Sequence, residues 1–123
     1  MLTASPTTPL TLAANLTELW SPRVIGSLDD NYIKVAKVRG ELVWHSHDGQ
    51  DELFFVLQGR LRLRLPDREV ELAAGELFVV PKGVPHLPIA DEECLLMLIE
   101  QKATAHTGEV VTAQTRSIEE QLR

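Results

Sequence analysis

The chain has 123 residues, of which 44% are hydrophobic and 24% charged, with a formal net charge of −6. That length corresponds to one domain with a single core, and the acidic balance argues against nucleic acid or anionic membrane as partners. The lone cysteine, Cys94 in CLLMLI, cannot form an internal disulfide, and no apolar run approaches the ~20 residues of a membrane-spanning helix.

The N-terminus has neither a basic n-region nor an apolar h-region, so the expected compartment is the reducing cytoplasm. Residues 1–9, rich in Thr, Ser and Pro, read as a loose tail on a single domain spanning 1–123. Leu12, Leu16 and Leu19 fall at i, i+4 and i+7 and predict a short amphipathic helix. After Ser21-Pro22 the pattern becomes that of strands. NYIKVAKV, ELVWHSH, ELFFVL, RLRLRL, REVEL, ELFVV and ECLLMLIE are short, rich in Val, Leu, Ile or Phe, and separated by Gly, Pro or Asp-bearing turns. Such spacing predicts an all-β barrel or sandwich. At the C-terminus, Ser117 and Glu120 carry a capping-box pattern, and Ile118 and Leu122 sit four apart, which predicts a short closing helix.

Alternation distinguishes the strands. Arg60 to Leu65 reads leucine inward and arginine outward, beside the acids Asp67, Glu69 and Glu71 of the expected partner strand. Leu53 to Leu57 and Leu95 to Ile99 are apolar on both faces. They need cover from the N-terminal segment or from a second subunit, and the expected assembly is a homodimer. Cys94 reads as a small buried hydrophobe, and Gly59, Gly75 and Gly83 as turn residues.

The stretch HSHDGQDE, residues 45–52, concentrates two of the four histidines. Side chains at i and i+2 share a face only on an extended chain. A turn at Asp48-Gly49 returns the chain at Glu52. If Glu52 points to the same interior as His45 and His47, the three groups converge. A second turn, Pro81-Lys82-Gly83-Val84-Pro85, delivers His86 to the start of another strand. Imidazoles from His45, His47 and His86 with the Glu52 carboxylate suit one divalent transition metal: Fe, Mn, Ni, Cu or Zn. An octahedral field would leave about two positions open for small ligands. Asp48 and Asp51 flank the set, either as solvated turn acids or as hydrogen-bond acceptors for the imidazoles. His106, in HTGE, reads as an exposed loop histidine near the barrel mouth.

The pattern Gly40-x4-His45-x-His47-x4-Glu52-x6-Gly59 resembles the first motif of the cupins, and Gly75-x5-Pro81-x-Gly83-x2-His86 resembles their second. The motif core occupies residues 40–90, with fifteen residues between Gly59 and Gly75, as in compact single-domain bacterial cupins. The first gap is one residue short, and Ala90 stands where the second motif usually ends in Asn. DELFFVLQGR, GELFVVPKGVPH and HTGE are similar to short cupins loosely labelled mannose-6-phosphate isomerase-like. The resemblance implies a jelly-roll β-barrel with His45, His47, Glu52 and His86 as metal ligands, here with short helices at both ends.

Such a site would carry about one net positive charge and would polarise a ligand oxygen as a Lewis acid. By parity the interior is lined by Phe54, Val56, Leu61, Leu63 and either Leu95/Met97 or Cys94/Leu96. A sugar phosphate would find only Gln58, Lys34 or Lys37 as interior partners. A small carbonyl, enol or aromatic compound suits that lining better. The expected function is a metal-dependent enzyme of oxygenase or isomerase type, with Glu52 as the candidate catalytic residue because no separate general base stands out. The alternative is a non-catalytic metal and small-ligand binding or sensing module.

Overall fold

The protein was analysed as a computed structural model that describes residues 5–123. Of the expected tail over 1–9, residues 1–4 lie outside the described residues, and 5–8 are exposed without helix or strand. The first helix, α1 (Pro9–Ala14), starts earlier and stops sooner than the leucine spacing predicts. Pro9 occupies the first turn, where a missing N–H leaves nothing unpaired. Ala13 and Leu16 pack on Val35, Leu57 and Leu95, whereas Leu19 has left the helix and bridges to Lys37.

Seven antiparallel strands follow: β1 (Arg23–Leu28), β2 (Asn31–Glu41), β3 (Glu52–Gln58), β4 (Arg60–Arg64), β5 (Glu69–Ala73), β6 (Leu77–Val80) and β7 (Leu87–Gln101). Their order is β1-β2-β7-β3-β6, with β4 joining β7 to β5. This is the all-β jelly-roll architecture the sequence implies, and β7 is its hub. The first part of β7 pairs with β4 and the later part with β3, while β2 runs along both. One residue, Gly59, carries the chain from β3 to β4. Its φ is +89°, and a Cβ there would lie 2.8 Å from the Glu93 carbonyl oxygen, so glycine alone fits the transfer.

Alternation sorts the side chains as expected. Phe54, Val56, Leu61, Leu63, Leu96 and Leu98 enter one buried cluster with Cys94, whose thiol burial pushes up to about 12. Arg60, Arg62 and Arg64 lie outside and pair with Glu71 and Glu69 of β5, and Arg62 also grips Asp91. On the outer face of β2-β7-β3-β6, Ile33, Ile99, Leu53 and Val79 align in one row across the strands, and Met97, Phe55 and Leu77 in the next. α1 covers the end of this face at Val35, Leu57 and Leu95, and Leu77 and Val79 are exposed.

Two predicted elements differ. ELVWHSH is not a strand of its own: Glu41 ends β2, and His45 is held in an isolated bridge to His86. In α2 (Ile118–Gln121) the capping box is formed, but the residue it buries is Gln121, while Leu122 is half exposed. Among the described residues, no helix is long and apolar enough to cross a membrane.

Candidate metal centre

Backbone pairing between two loops assembles the site. His45 and His86 exchange both of their backbone hydrogen bonds, at 3.1 and 2.9 Å, and Gly83 N–H donates to the His47 carbonyl at 2.8 Å. Asp51 does not reach an imidazole. Its carboxylate accepts from Lys82 N–H at 2.8 Å, tying the start of β3 to the second turn. These bonds bring two separate turns into register without a sheet between them. They also place Glu52, the first residue of β3, opposite both loops.

His45, His47, Glu52 and His86 are all buried, and one ligand atom from each lies within 4.8 Å of the others. The Nδ1 atoms of His45 and His86 lie 2.8 and 3.0 Å from the Val43 and Val84 carbonyl oxygens. A carbonyl only accepts, so each ring donates its Nδ1 proton and turns Nε2 towards the centre, where His86 Nε2 lies 3.2 Å from Glu52 Oε1. Burial, reinforced by the neighbouring His86, lowers the His45 pKa to about 4, so the ring is neutral and competent to ligate. His47 Nε2 is 3.3 Å from Glu52 Oε1 but is buried without a hydrogen bond among the described residues. An orphaned imidazole nitrogen beside two tautomer-locked imidazoles and a carboxylate is a donor set that fits a divalent transition ion.

Glu52 sits between opposing influences. Burial alone would raise its pKa, but the His47 and His86 imidazoles and Glu100 beside it outweigh burial and hold it well below the usual carboxylate range. Glu100, its cross-strand partner on β7, moves the other way. Burial and the Glu52 charge raise its pKa well above normal despite the Lys34 ammonium. Lys34 Nζ lies 2.7 Å from Glu100 Oε1 and donates also to Gln121 Oε1 of α2. Lys34 is therefore interior, as its parity allows, but its charge is already partnered. Gln58 is exposed, and Lys37 donates to the Ala14 carbonyl, so neither faces the centre.

Two spaces adjoin the cluster, with His45 lining both. Inside the barrel is a chamber of about 30 Å³, walled by Phe54, Leu96, Leu98, Glu52 and Glu100 among others. Phe54 and Leu96 line it as predicted, whereas Val56, Leu61 and Leu63 are core residues packed away from it. Outside, a groove of about 470 Å³ runs past Trp44, His45, His47, Pro85 and Val110. Its far wall is the segment after β7. There a Cβ at Gly108 (φ +60°) would run into the Ser46 carbonyl, so glycine permits the close approach to the His45–His47 loop.

Sequence reasoning missed the surroundings of the ligands. His106 is not an exposed loop residue. It is part-buried, lines the inner chamber with His45, Glu52 and Glu100, and burial lowers its pKa to about 4. Glu100 and Gln121 carry no spacing signal, since Glu100 directly follows the apolar run Cys94–Ile99 and reads there as a polar strand end.

Comparison with known proteins agrees with this geometry. Among solved structures, the chain is similar to a cupin-2 domain containing protein from Shewanella frigidimarina NCIMB 400, with 43% identity and a TM-score of 0.76 over 78% of this chain and 94% of that one. Among curated proteins it is 31% identical over 113 residues to YdbB of Bacillus subtilis (strain 168), covering 91% of this chain and 92% of that protein. A further relative is the 3-hydroxyanthranilate 3,4-dioxygenase of Xanthomonas campestris, 32% identical over 66 residues. That match takes in 50% of this chain and spans only 38% of the dioxygenase. The description of the Cupin domain family (Cupin_2) matches residues 32–100, which include every proposed ligand and the strands that hold them. With that match and with the two motifs converging as they do, the chain belongs to the cupin family.

Proposed function

We propose that this cupin is a metal-dependent enzyme acting on a small carbonyl, enol or aromatic compound, and that its chemistry is of the oxygenase type. The observation that carries the reading is the buried convergence of His45, His47, Glu52 and His86, with the His45 and His86 Nε2 atoms turned inward by their Nδ1 contacts. A divalent transition ion in that set would supply Lewis acidity to a coordinated oxygen. Around it, the neutral His45 imidazole and the ionised Glu52 are ready to ligate without a proton first leaving. A Glu52 carboxylate committed to an ion would be a poor base, which favours an oxygenase over an isomerase that must move a proton from carbon. Likeness over half the chain to proteins named for dioxygenation of a hydroxylated aromatic ring supports the same choice.

The test is metal content of untagged protein, followed by oxygen uptake on a panel of small enols and catechols, with Glu52→Ala and His86→Ala as controls. Stoichiometric metal in wild type, its loss in both variants, and uptake on at least one compound are expected. Equal, substoichiometric metal in all three proteins would sink the metal reading.

A second reading, a metal and small-ligand binding module without turnover, is favoured by one observation. The inner chamber of about 30 Å³ is far below the ~150 Å³ that admits a benzene ring. Stoichiometric metal with no uptake on any compound would select it.

We also propose that a second copy of the chain covers the apolar rows on the outer face of β7-β3-β6. Sedimentation should give a dimer that Leu77→Lys with Val79→Lys converts to monomer, and a monomeric wild type would refute it.

A further inference from the structure

The inner chamber is small, and one of its walls has no role in the site so far. At about 30 Å³ it has room for roughly two water molecules. Only a ligand of water, diatomic or small-anion size enters it, and anything larger must meet the site from the outer groove. His106 comes to this chamber from the segment after β7, outside both motifs. Its Nδ1 accepts the Arg116 backbone N–H at 2.9 Å. A ring nitrogen that accepts holds no proton, so the proton of the neutral ring is on Nε2. Among the described residues, Nε2 has no hydrogen-bond partner.

The loop that fixes this tautomer is itself pinned. Arg116 Nε donates to Ser21 Oγ at 3.3 Å, its guanidinium to the Ala113 and Gln114 carbonyls, and its own carbonyl accepts from Gln121 Nε2 at 3.0 Å. The ring is therefore pre-organised as a donor. The ring lines the chamber, so a small ligand seated there can accept this N–H.

We propose that His106 is a ligand-recognition residue whose Nε2–H donates to a small oxygen- or nitrogen-bearing ligand seated in the inner chamber beside the His45–Glu52 cluster. This rests on the metal-centre reading and adds to it a specificity. The chamber selects a small ligand with an acceptor atom, and the segment 102–117 contributes to binding rather than only closing the barrel.

The experiment uses zinc-loaded protein and azide as the probe. Azide affinity is measured by titration, and the His106 ring N–H is followed by nitrogen-15 correlation NMR. Wild type should bind azide with a shift of the Nε2 proton resonance. His106→Ala should keep its zinc and bind azide about tenfold more weakly, the scale of one hydrogen bond to an anion. His106→Gln, which restores an N–H donor near the same place, should recover part of the loss. Azide affinity unchanged in His106→Ala, or no azide binding by zinc-loaded wild type, would overturn the inference while leaving the metal centre intact. Loss of zinc from His106→Ala equal to that from His86→Ala would also overturn it, making His106 a fifth ligand. A wild type that holds no stoichiometric metal would instead defeat the underlying reading, and zinc analysis separates that outcome from the others.

Discussion

The four candidate ligands and the polar shell behind them are both buried polar groups, assembled in different ways. His45, His47 and His86 come from two loops that face each other and exchange backbone bonds, and Glu52 begins the strand that follows the first loop. Lys34, Glu100, His106 and Gln121 come from β2, β7, the segment after β7 and α2, up to 87 residues apart. The first group is local, and its geometry follows from turn chemistry. The second exists only once the barrel has closed and α2 has docked. Ligands can thus be specified by motif, while the groups that tune them are specified by packing, so disturbing each group should have separable consequences.

The sharpest break is at the ligands. Glu52→Ala and His86→Ala should each lower metal affinity by more than ~100-fold, since removing a ligand does more than the 10–100-fold loss typical of its supporting partners. Elemental analysis after dialysis against a weak chelator reads this directly.

Next comes the shell. Lys34→Met leaves the buried oxygens of Glu100 and Gln121 without the donor they share, and an unsatisfied buried polar group costs about 1–3 kcal/mol. Urea denaturation should show that loss. Metal affinity should fall with it, though less than in Glu52→Ala, because Glu100 abuts Glu52. If Lys34→Met unfolded no more easily than wild type, the distinction between local ligands and a packing-dependent shell would fail.

Gly108→Ala tests the contact between the segment after β7 and the ligand loop. The added methyl meets the Ser46 carbonyl at a positive φ, and a cost of about 1–3 kcal/mol is expected. Gly75→Ala also sits at a positive φ, +87° against +60°, but with open space around it, so it should cost less. The difference between the two variants isolates the contact from the backbone strain.

Acid provides a gentler probe. In the metal-free protein the folded pKa values of His45 and His106 are lowered from 6.5 to about 4. Between those limits the unfolded chain binds more protons than the folded one, so stability is present above pH 6.5 and is lost as the pH falls towards 4. His106→Gln should flatten part of that slope in a melting-temperature profile. The smallest effect belongs to the exposed row: Arg60→Ala removes only a surface pair with Glu71 and should leave the melting temperature unchanged.

By itself the sequence determined the all-β class, the leucine-in and arginine-out strand, the capped C-terminal helix and the four residues that converge as a candidate metal cluster. Each of these is written at short range, as a period of two, a capping box or a turn glycine at a fixed distance from a histidine. Only the tertiary structure decided that the ligand segment is a bridged loop rather than a strand, because His45 spends its backbone bonds on His86 instead of on a sheet neighbour. It likewise decided that Gln121 rather than an apolar residue anchors α2, because a buried Lys34 ammonium needs a second acceptor. It turned His106 from a surface histidine into a wall of the chamber. Burial and long-range partnership have no period along the chain, and those are what set the protonation states and the size of the space around the metal centre.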